Sequence, residues 1–243
     1  MKTVLRWLAL VLVAAVALQL FFLGRIAAMA AIDPQSTTFQ RSEAWRIATE
    51  KGRLRWRQEW IDYEVLPDHL KRAVIASEDG SFSNHEGVDW EALEKAWQRN
   101  TKAEEQAAHR AQQLRTAARA PKIVGGSTIT QQLAKNLLLS GERTLLRKGQ
   151  EIVLAFALEK ILSKQRILEI YLNSVEWGEG VFGAEAAAQH YYRKSAAKLT
   201  AYEAGRLAVM LPRPRYFEKL PNSGYLASRA QTIAARLRDA ELP

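Results

Sequence analysis

The sequence predicts a mainly α-helical domain that follows one N-terminal transmembrane helix. Apolar residues recur at three- and four-residue steps in most segments after residue 66, which is the spacing of amphipathic helices. A strand-like pattern of any length occurs only within residues 53–65. The third observation is an apolar stretch from Trp7 to Gly24, whose one polar member is Gln19. Together they indicate one helical domain attached to a membrane.

Length and composition narrow the class of protein. The chain has 243 residues, of which 48% are hydrophobic and 25% charged, a balance typical of globular domains rather than disordered ones. The net charge of +9 favours an anionic partner, such as a phosphate, a nucleic acid or an anionic lipid. The chain has no cysteine, which excludes a disulfide framework and thiolate metal sites.

The N-terminal segment is interpreted as an uncleaved anchor spanning residues 7–32. A spanning helix needs about 20 predominantly apolar residues, and this segment provides them if Arg25 extends towards a headgroup. Lys2 and Arg6 precede it, so residues 1–6 are expected in the cytoplasm and the rest of the chain outside. This topology disfavours a nucleic-acid partner. A cleaved signal peptide ending in "AMA" is the alternative, but its apolar core would be unusually long.

Residues 33–65 are expected to form a polar juxtamembrane segment. Its "GRLRWRQEW" alternates basic and aromatic residues, which suits an anionic headgroup surface and equally suits an edge strand with a solvated face. Residues 66–243 are expected to form the catalytic domain.

Helices are expected in order along this domain. Pro67 and Asp68 mark the start of the first, because proline and an acidic residue favour the first helical turn. Residues 100–122 hold almost no large apolar side chain and predict a frayed helix or a loop. Residues 142–175 predict one long or two abutting helices. Further on, "EWGEGVFG" predicts a glycine-rich loop and "PRPRYF" an extended segment, because residues before proline avoid the helical region.

An acid pair, Glu78 and Asp79, follows the apolar run "AVIAS". Partial burial there would raise the pKa of Glu78 towards neutrality, which suits a general acid or base acting on a sugar hydroxyl. Asp79 would keep the surroundings polar or fix the turn through hydrogen bonds. The alternative is a solvated pair at a helix end.

A second carboxylate, Glu151, is expected to share a helix face with Arg147 and Lys148, and Arg143 would extend this basic stripe by one turn. The apolar run "EIVLAFALEKIL" indicates that the helix is buried, where unpaired charges are costly. Converging Arg and Lys side chains suit a phosphate group. The alternative is an exposed ladder of ion pairs that adds little stability.

The run "GGSTITQQLAKN" predicts an anion site at a helix start. Ser127 or Thr128 would cap the helix, and the free backbone N–H groups of its first turn would face the anion. Side-chain donors follow in the next turn at Gln131, Gln132, Lys135 and Asn136. The alternative is simply a capped helix.

Five motifs in order resemble those of the peptidoglycan glycosyltransferases: "EDGSFSNHEG", "GGSTITQQLAKN", "RKGQE", "ILEIYLN" with "WGEGVFGAEAAAQHYY", and "GRLAVMLPRPRYF". The resemblance covers Leu66 to Phe217. Because no transpeptidase domain follows, the chain resembles the monofunctional biosynthetic form. The resemblance implies a lysozyme-like helical domain on the periplasmic side of the bacterial inner membrane, which polymerises lipid II into β-1,4-linked glycan strands and releases undecaprenyl diphosphate.

The resemblance also assigns roles by position. Glu78 corresponds to the catalytic base and Glu151 to the second essential glutamate. Four basic residues correspond to a diphosphate clamp: Lys135, Arg143, Arg147 and Lys148. The other positions expected to bind substrate are Asp79, Phe82, His85, Ser127, Thr128, Gln131, Gln132 and Asn136.

The implied partners are lipid II, the growing glycan strand, inner-membrane lipids, and transpeptidases or division proteins. No cofactor is expected, although the family allows a divalent cation, Mg²⁺ or Mn²⁺, for which the sequence assigns no ligand. Two other functions stay open on the residues alone. One is a membrane-anchored lytic or lysozyme-type murein hydrolase, and the other is a non-catalytic basic scaffold in the envelope.

Overall fold

The fold is that of a computed structural model, which describes residues 1–114, 125–142 and 144–243. It confirms the expected mainly α class. The helices are α1 (Lys2–Ala28), α2 (Thr38–Lys51), α3 (Asp68–Glu78), α4 (Trp90–Leu114), α5 (Ile129–Leu138), α6 (Leu145–Ile161), α7 (Lys164–Ser174), α8 (Ala184–Tyr192), α9 (Ala201–Met210), α10 (Pro214–Glu218) and α11 (Gly224–Ala235). The strands are β1 (Arg57–Gln58), β2 (Glu176–Gly178) and β3 (Val181–Phe182).

Helix α1 is long and apolar enough to cross a membrane, and its first five turns expose apolar side chains on every side. It begins at Lys2, before the apolar run, and ends at Ala28. The last turns behave differently, because Phe22, Ile26 and the following Met29 are buried in the core of the domain. Helix α1 packs there against α6. Helix α1 and the rest of the domain therefore share one hydrophobic core.

The juxtamembrane segment contains helix α2, which the sequence pattern did not predict. Thr37 and Gln40 form a reciprocal capping box at its start, and Gly52 ends it with a φ of +64°. Beyond it, β1 pairs in parallel with β3 at the edge of a three-stranded sheet of order β1-β3-β2. The edge-strand interpretation of this basic segment is therefore confirmed for Arg57 and Gln58.

The "EWGEGVFG" segment forms strands β2 and β3, which pair in an antiparallel hairpin, and not a loop. Gly180 turns between them with a φ of +74°, and a Cβ atom there would lie 2.2 Å from the carbonyl oxygen of Arg55. Only glycine lets β1 approach this turn so closely. Short strands of this kind escape pattern analysis because two or three residues carry no period.

The rest of the domain is a layer of packed helices around one core. Helix α9 packs between α3 and α11, and α5 packs on α6 and α7. Residues 142–175 form two helices, because the side chain of Ser163 caps the start of α7. Trp177 is fully buried and donates a hydrogen bond from Nε1 to the carbonyl of Leu207 at 3.0 Å. The hairpin is thereby fastened to α9.

Two expectations about the domain need comment. The extended segment predicted for "PRPRYF" is wrong, because Pro214 occupies the first position of helix α10, where its fixed φ and missing N–H are tolerated. Residues 100–114 continue α4 as a helix. The remainder of the predicted frayed helix or loop, residues 115–122, lies outside the described residues.

Candidate active site

Glu78 is the last residue of α3, a helix that the buried side chains of Leu70, Val74 and Ile75 hold in the core. Its Oε2 atom accepts a hydrogen bond from Nε2 of Gln132 at 3.0 Å. Burial raises the pKa of Glu78, the negative charge of Asp79 raises it further, and the hydrogen bond from Gln132 opposes both. The carboxylate is thus a stronger proton acceptor than an ordinary surface glutamate.

Asp79, only 7% exposed, is committed to other partners. Its two carboxylate oxygens accept from Nε2 of His85 at 2.9 and 3.1 Å, and one also accepts from the backbone N–H of Ile129 at 2.9 Å. Nδ1 of His85 accepts from the N–H of Gly87, so the proton of the neutral ring sits on Nε2. Asp79 therefore joins the end of α3 to the start of α5.

Gln132 is held in one orientation by Tyr171 of α7. The hydroxyl of Tyr171 donates to Oε1 of Gln132 at 3.0 Å, which directs the amide NH₂ group towards Glu78. Tyr171 is fully buried, and burial together with the charges of Glu78 and Asp79 raises its pKa well above the ordinary value. It stays protonated and remains a donor. Sequence reasoning missed this residue; the signal was a hydroxyl inside the apolar run "ILEIYLN".

Glu151 lies buried on α6, 3% exposed, with both predicted cations beside it. Nη1 of Arg147 lies 2.8 Å from one carboxylate oxygen, and Nζ of Lys148 contacts the other. Two cations face one carboxylate, so this trio keeps a net positive charge. Nζ of Lys148 also donates to Oγ of Ser127 at 3.3 Å, which links the trio to the segment before α5.

A cavity of about 250 Å³ opens beside this trio, between α2, α5 and α6. Arg147, Lys135 and Asn136 bring polar groups to it, and Phe39 of α2 adds an aromatic ring. Nε of Arg147 is buried, and within residues 1–114, 125–142 and 144–243 it has no hydrogen-bond partner. The guanidinium of Arg147 thus keeps one N–H group that the described residues leave unused. Phe39 is a lining residue that the sequence did not identify.

Three of the residues expected to bind substrate have partners within the chain. Phe82 is fully buried, and its ring meets the ring of His85 edge-on at a centroid distance of 6.3 Å. Thr128 and Gln131 form the capping box of α5, and Oγ1 of Thr128 also donates to the carbonyl of Gly87 at 2.6 Å. The hydroxyl of Thr128 and Oε1 of Gln131 are thus engaged within the chain, and the ring of Phe82 lies in the core. Arg143 lies outside the described residues.

The start of α5 connects all these groups. Asp79 bonds the N–H of Ile129, Glu78 bonds the side chain of Gln132, and Lys148 bonds Ser127 just before the helix. The half-buried carboxylate of Glu78 on α3 and the ammonium group of Lys148 on α6 are therefore both held at the start of α5. The structure brings together the acid and the basic trio that lie 73 positions apart in the sequence (78 to 151).

No protein ligand set for a metal was found in the part of the chain that the structure describes. There, no three side chains among histidine, aspartate and glutamate converge closely enough to hold an ion. The carboxylates of this site are instead occupied by His85, Gln132 and the two cations. The arrangement suits a proton transfer at Glu78 next to an anion held by fixed positive charges.

Comparisons with known proteins agree with this chemistry. The sequence model of the family described as Transglycosylase matches residues 46–238. Proteins named biosynthetic peptidoglycan transglycosylase are similar along almost the whole chain. The one from Paraburkholderia phytofirmans is 48% identical over 98% of this chain and 94% of its own length. That from Herminiimonas arsenicoxydans is 47% identical over 100% of this chain and 99% of its own.

A third relative, from Bordetella pertussis, is 48% identical over 96% of this chain and 91% of its own length. The family match begins at residue 46, inside α2, and reaches the last turns of the domain. It is wider than the motif resemblance, which began at Leu66. Helical fold, acid-and-cation site and sequence similarity thus agree, and the chain belongs to the transglycosylase family.

Proposed function

We propose that this chain, a peptidoglycan glycosyltransferase by family, joins lipid II units into β-1,4-linked glycan strands and releases undecaprenyl diphosphate. The observation that carries the proposal is the pairing of two features at the start of α5. Glu78, a half-buried carboxylate with a raised pKa, lies on α3, and the net positive trio of Arg147, Lys148 and Glu151 lies on α6.

Glu78 is the general base of the reaction. It takes the proton from the 4-hydroxyl of the acceptor sugar, and the freed oxygen attacks the anomeric carbon of the donor strand. The new C–O bond forms as the bond to the diphosphate breaks, and the electron pair leaves with the diphosphate. Attack from the opposite face inverts the α-linkage and gives a β bond. The hydrogen bond from Gln132 keeps the ionised carboxylate aimed at its substrate.

Arg147 and Lys148 stabilise the negative charge that gathers on the departing diphosphate. Glu151 holds them in place without cancelling both charges, so they need no rearrangement when the bond breaks. Lys135 and Asn136 extend the same polar surface along the cavity towards Phe39. Fixed cations of this kind usually supply the largest part of the rate enhancement.

A divalent cation, which the family allows, receives no ligand from the described residues. No step of the proposed reaction passes through one. If Mg²⁺ or Mn²⁺ takes part, it would come with the diphosphate oxygens of the substrate.

Helix α1 anchors the enzyme where its lipid-linked substrate resides. Its exposed apolar turns suit the bilayer interior, and Lys2 and Arg6 favour a cytoplasmic N-terminus. The catalytic domain then lies on the outer face of the bacterial inner membrane. The family match disfavours the hydrolase and the non-catalytic scaffold, since transglycosylases transfer glycosyl groups.

The test is incubation of the purified full chain with lipid II, followed by digestion of any product with a muramidase. Polymer that the muramidase degrades to disaccharide units supports the proposal. The absence of such polymer from folded wild-type protein would refute it. A hydrolase would instead shorten preformed glycan strands, which gel electrophoresis after incubation of such strands with the chain would reveal.

A further inference from the structure

The one polar residue of the apolar stretch, Gln19, is bonded to the catalytic domain. Its Nε2 donates to Oε1 of Gln150 at 3.0 Å, and Nε2 of Gln150 donates back to Oε1 of Gln19 at 2.9 Å. Two amides thus form a closed pair between α1 and α6. An amide in an apolar membrane segment is unfavourable unless it finds a partner, and this pair satisfies one donor and one acceptor on each side.

Gln150 occupies a critical place on α6. It is the neighbour of Glu151 and lies one turn after Arg147. It therefore shares the short stretch of α6 that carries the trio of Arg147, Lys148 and Glu151. The two preceding apolar residues of that helix, Leu145 and Leu146, are 92% and 89% exposed. The start of α6 therefore gains little from apolar packing and is held by polar contacts. These are the ion pairs of Glu151, the bond of Lys148 to Ser127 and the bond of Gln150 to Gln19.

Apolar packing continues the contact below the amide pair. Phe22 and Ile26 lie one and two turns after Gln19 and are buried against the domain. At the end of the anchor, Nε of Arg166 donates to the carbonyl of Met29 at 2.8 Å. Packing without direction would let α6 slide or turn on the anchor, whereas a reciprocal amide pair fixes one register.

We propose that Gln19 and Gln150 are positioning residues, through which the membrane anchor holds the start of α6 and its cations in the register required for the departure of the diphosphate. This inference rests on the proposed function. Neither residue touches substrate. Their pair acts through α6, so that the anchor is part of the catalytic apparatus as well as a tether.

The first experiment is a double-mutant cycle with purified full-length enzyme and lipid II. Gln19→Met, Gln150→Met and the double variant keep side-chain length but lose the amides. Each single variant should lower kcat by about threefold to tenfold with KM for lipid II little changed, because the cations act mainly on charge that develops in the transition state. The double variant should lose no more than either single one, because the pair is already broken.

Two matched variants serve as controls. Leu20→Met changes the next residue of the anchor, which is exposed, and Gln165→Met removes an exposed amide from α7. Both should leave kcat unchanged. Losses that multiply in the double variant, or a fall confined to thermal stability, would overturn the positioning role.

The second experiment tests the register by a tether. The chain has no cysteine, so Gln19→Cys and Gln150→Cys introduce the only thiols. A short thiol cross-linker should join them in membranes and restore the kcat that the uncross-linked double variant has lost. In the control pair, Leu20→Cys with Gln150→Cys, the thiol at position 20 faces away from α6. The cross-linker should therefore not restore kcat in that variant. Cross-linking without rescue refutes the positioning role, and absence of cross-linking refutes the contact itself.

The outcomes separate this inference from the function on which it rests. If the wild-type enzyme makes polymer and all variants at Gln19 and Gln150 have the same kcat, the positioning role alone is refuted. A folded wild-type chain that makes no polymer refutes the proposed function and the positioning role with it.

Discussion

Gln132 donates a hydrogen bond to the carboxylate of Glu78 at 3.0 Å, and its own orientation is fixed by the hydroxyl of Tyr171. The proposed base is therefore supported from α5 and α7 at once. This chain of hydrogen bonds favours the ionised carboxylate, whereas burial favours the protonated one. Together, the two effects give Glu78 a raised pKa while its ionised form keeps a hydrogen-bond donor.

Glu78→Gln should abolish polymer formation from lipid II while leaving the helical fold intact. The amide keeps the shape of the side chain but cannot accept the proton, and general-base catalysis contributes about 10²- to 10⁴-fold. Strand synthesis on a gel and the far-UV circular dichroism spectrum give the two readouts. Glu86→Gln is the matched control, because Glu86 forms an exposed ion pair with Lys160. Normal synthesis by Glu78→Gln would remove Glu78 from the mechanism.

The same substitution should stabilise the fold at alkaline pH. The pKa of Glu78 is raised in the folded chain, so between the unfolded and folded pKa values the folded chain binds more protons. The contribution of Glu78 to the free energy of unfolding therefore falls as pH rises through that window. Glu78→Gln should melt at a higher temperature than wild type at about pH 8, with the difference gone near pH 4. A melting difference independent of pH would contradict this.

Tyr171→Phe should weaken catalysis and shift its pH dependence. Without the hydroxyl, Oε1 of Gln132 loses its donor, and the amide is no longer directed at Glu78. The rate should fall about twofold to tenfold. The pKa of Glu78 should rise, so the acidic limb of kcat/KM should move to higher pH. Tyr216→Phe, at an exposed tyrosine, is the control. An unshifted acidic limb would show that Tyr171 only packs.

Substitutions in the trio of Arg147, Lys148 and Glu151 should affect stability and catalysis differently. Replacing Arg147 and Lys148 by glutamine leaves Glu151 buried without a partner, which should cost about 3–5 kcal/mol in the free energy of unfolding. Adding Glu151→Gln should restore most of that loss, because the unpaired charge is gone. Both variants should remain inactive on lipid II. Denaturant unfolding and polymer yield measure the two effects, and a triple variant with normal turnover would dismiss the proposed clamp.

Truncation should show that the anchor belongs to the core. Deletion of residues 1–32 removes Phe22, Ile26 and Met29, and burial of each such side chain contributes about 2 kcal/mol to the free energy of unfolding. It also exposes the apolar surface of the domain on which they pack. Deletion of residues 2–18 keeps all three. The longer deletion should melt at lower temperature and aggregate without detergent, whereas the shorter one should not. Equal melting temperatures would mean that this packing contributes nothing.

The long helices could be predicted from the sequence because their apolar spacing is regular. Residues 142–175 read as helix, and the proximity of Arg147, Lys148 and Glu151 followed from helical periodicity alone. Helix α2 was missed, because its exposed Trp45 and many charges leave no apolar stripe. Helix α10 was missed because two prolines suggested extension, although a proline at the first position favours a helix.

The site itself could be predicted only in part. Spacing and the family resemblance gave candidate residues, but neither could show that Thr128 and Gln131 form the capping box of α5. Links between distant segments were invisible for a different reason. Gln19 with Gln150, and Gln132 with Tyr171, depend on how whole helices pack, which no local pattern contains.

The start of α5 supports both parts of the proposed site. The backbone N–H of Ile129 and the side chains of Gln132 and Ser127 bind Asp79, Glu78 and Lys148 respectively, so the proposed base and the proposed cations share one support. A substitution that shifts this turn is therefore expected to displace the carboxylate of Glu78 and the ammonium group of Lys148 together.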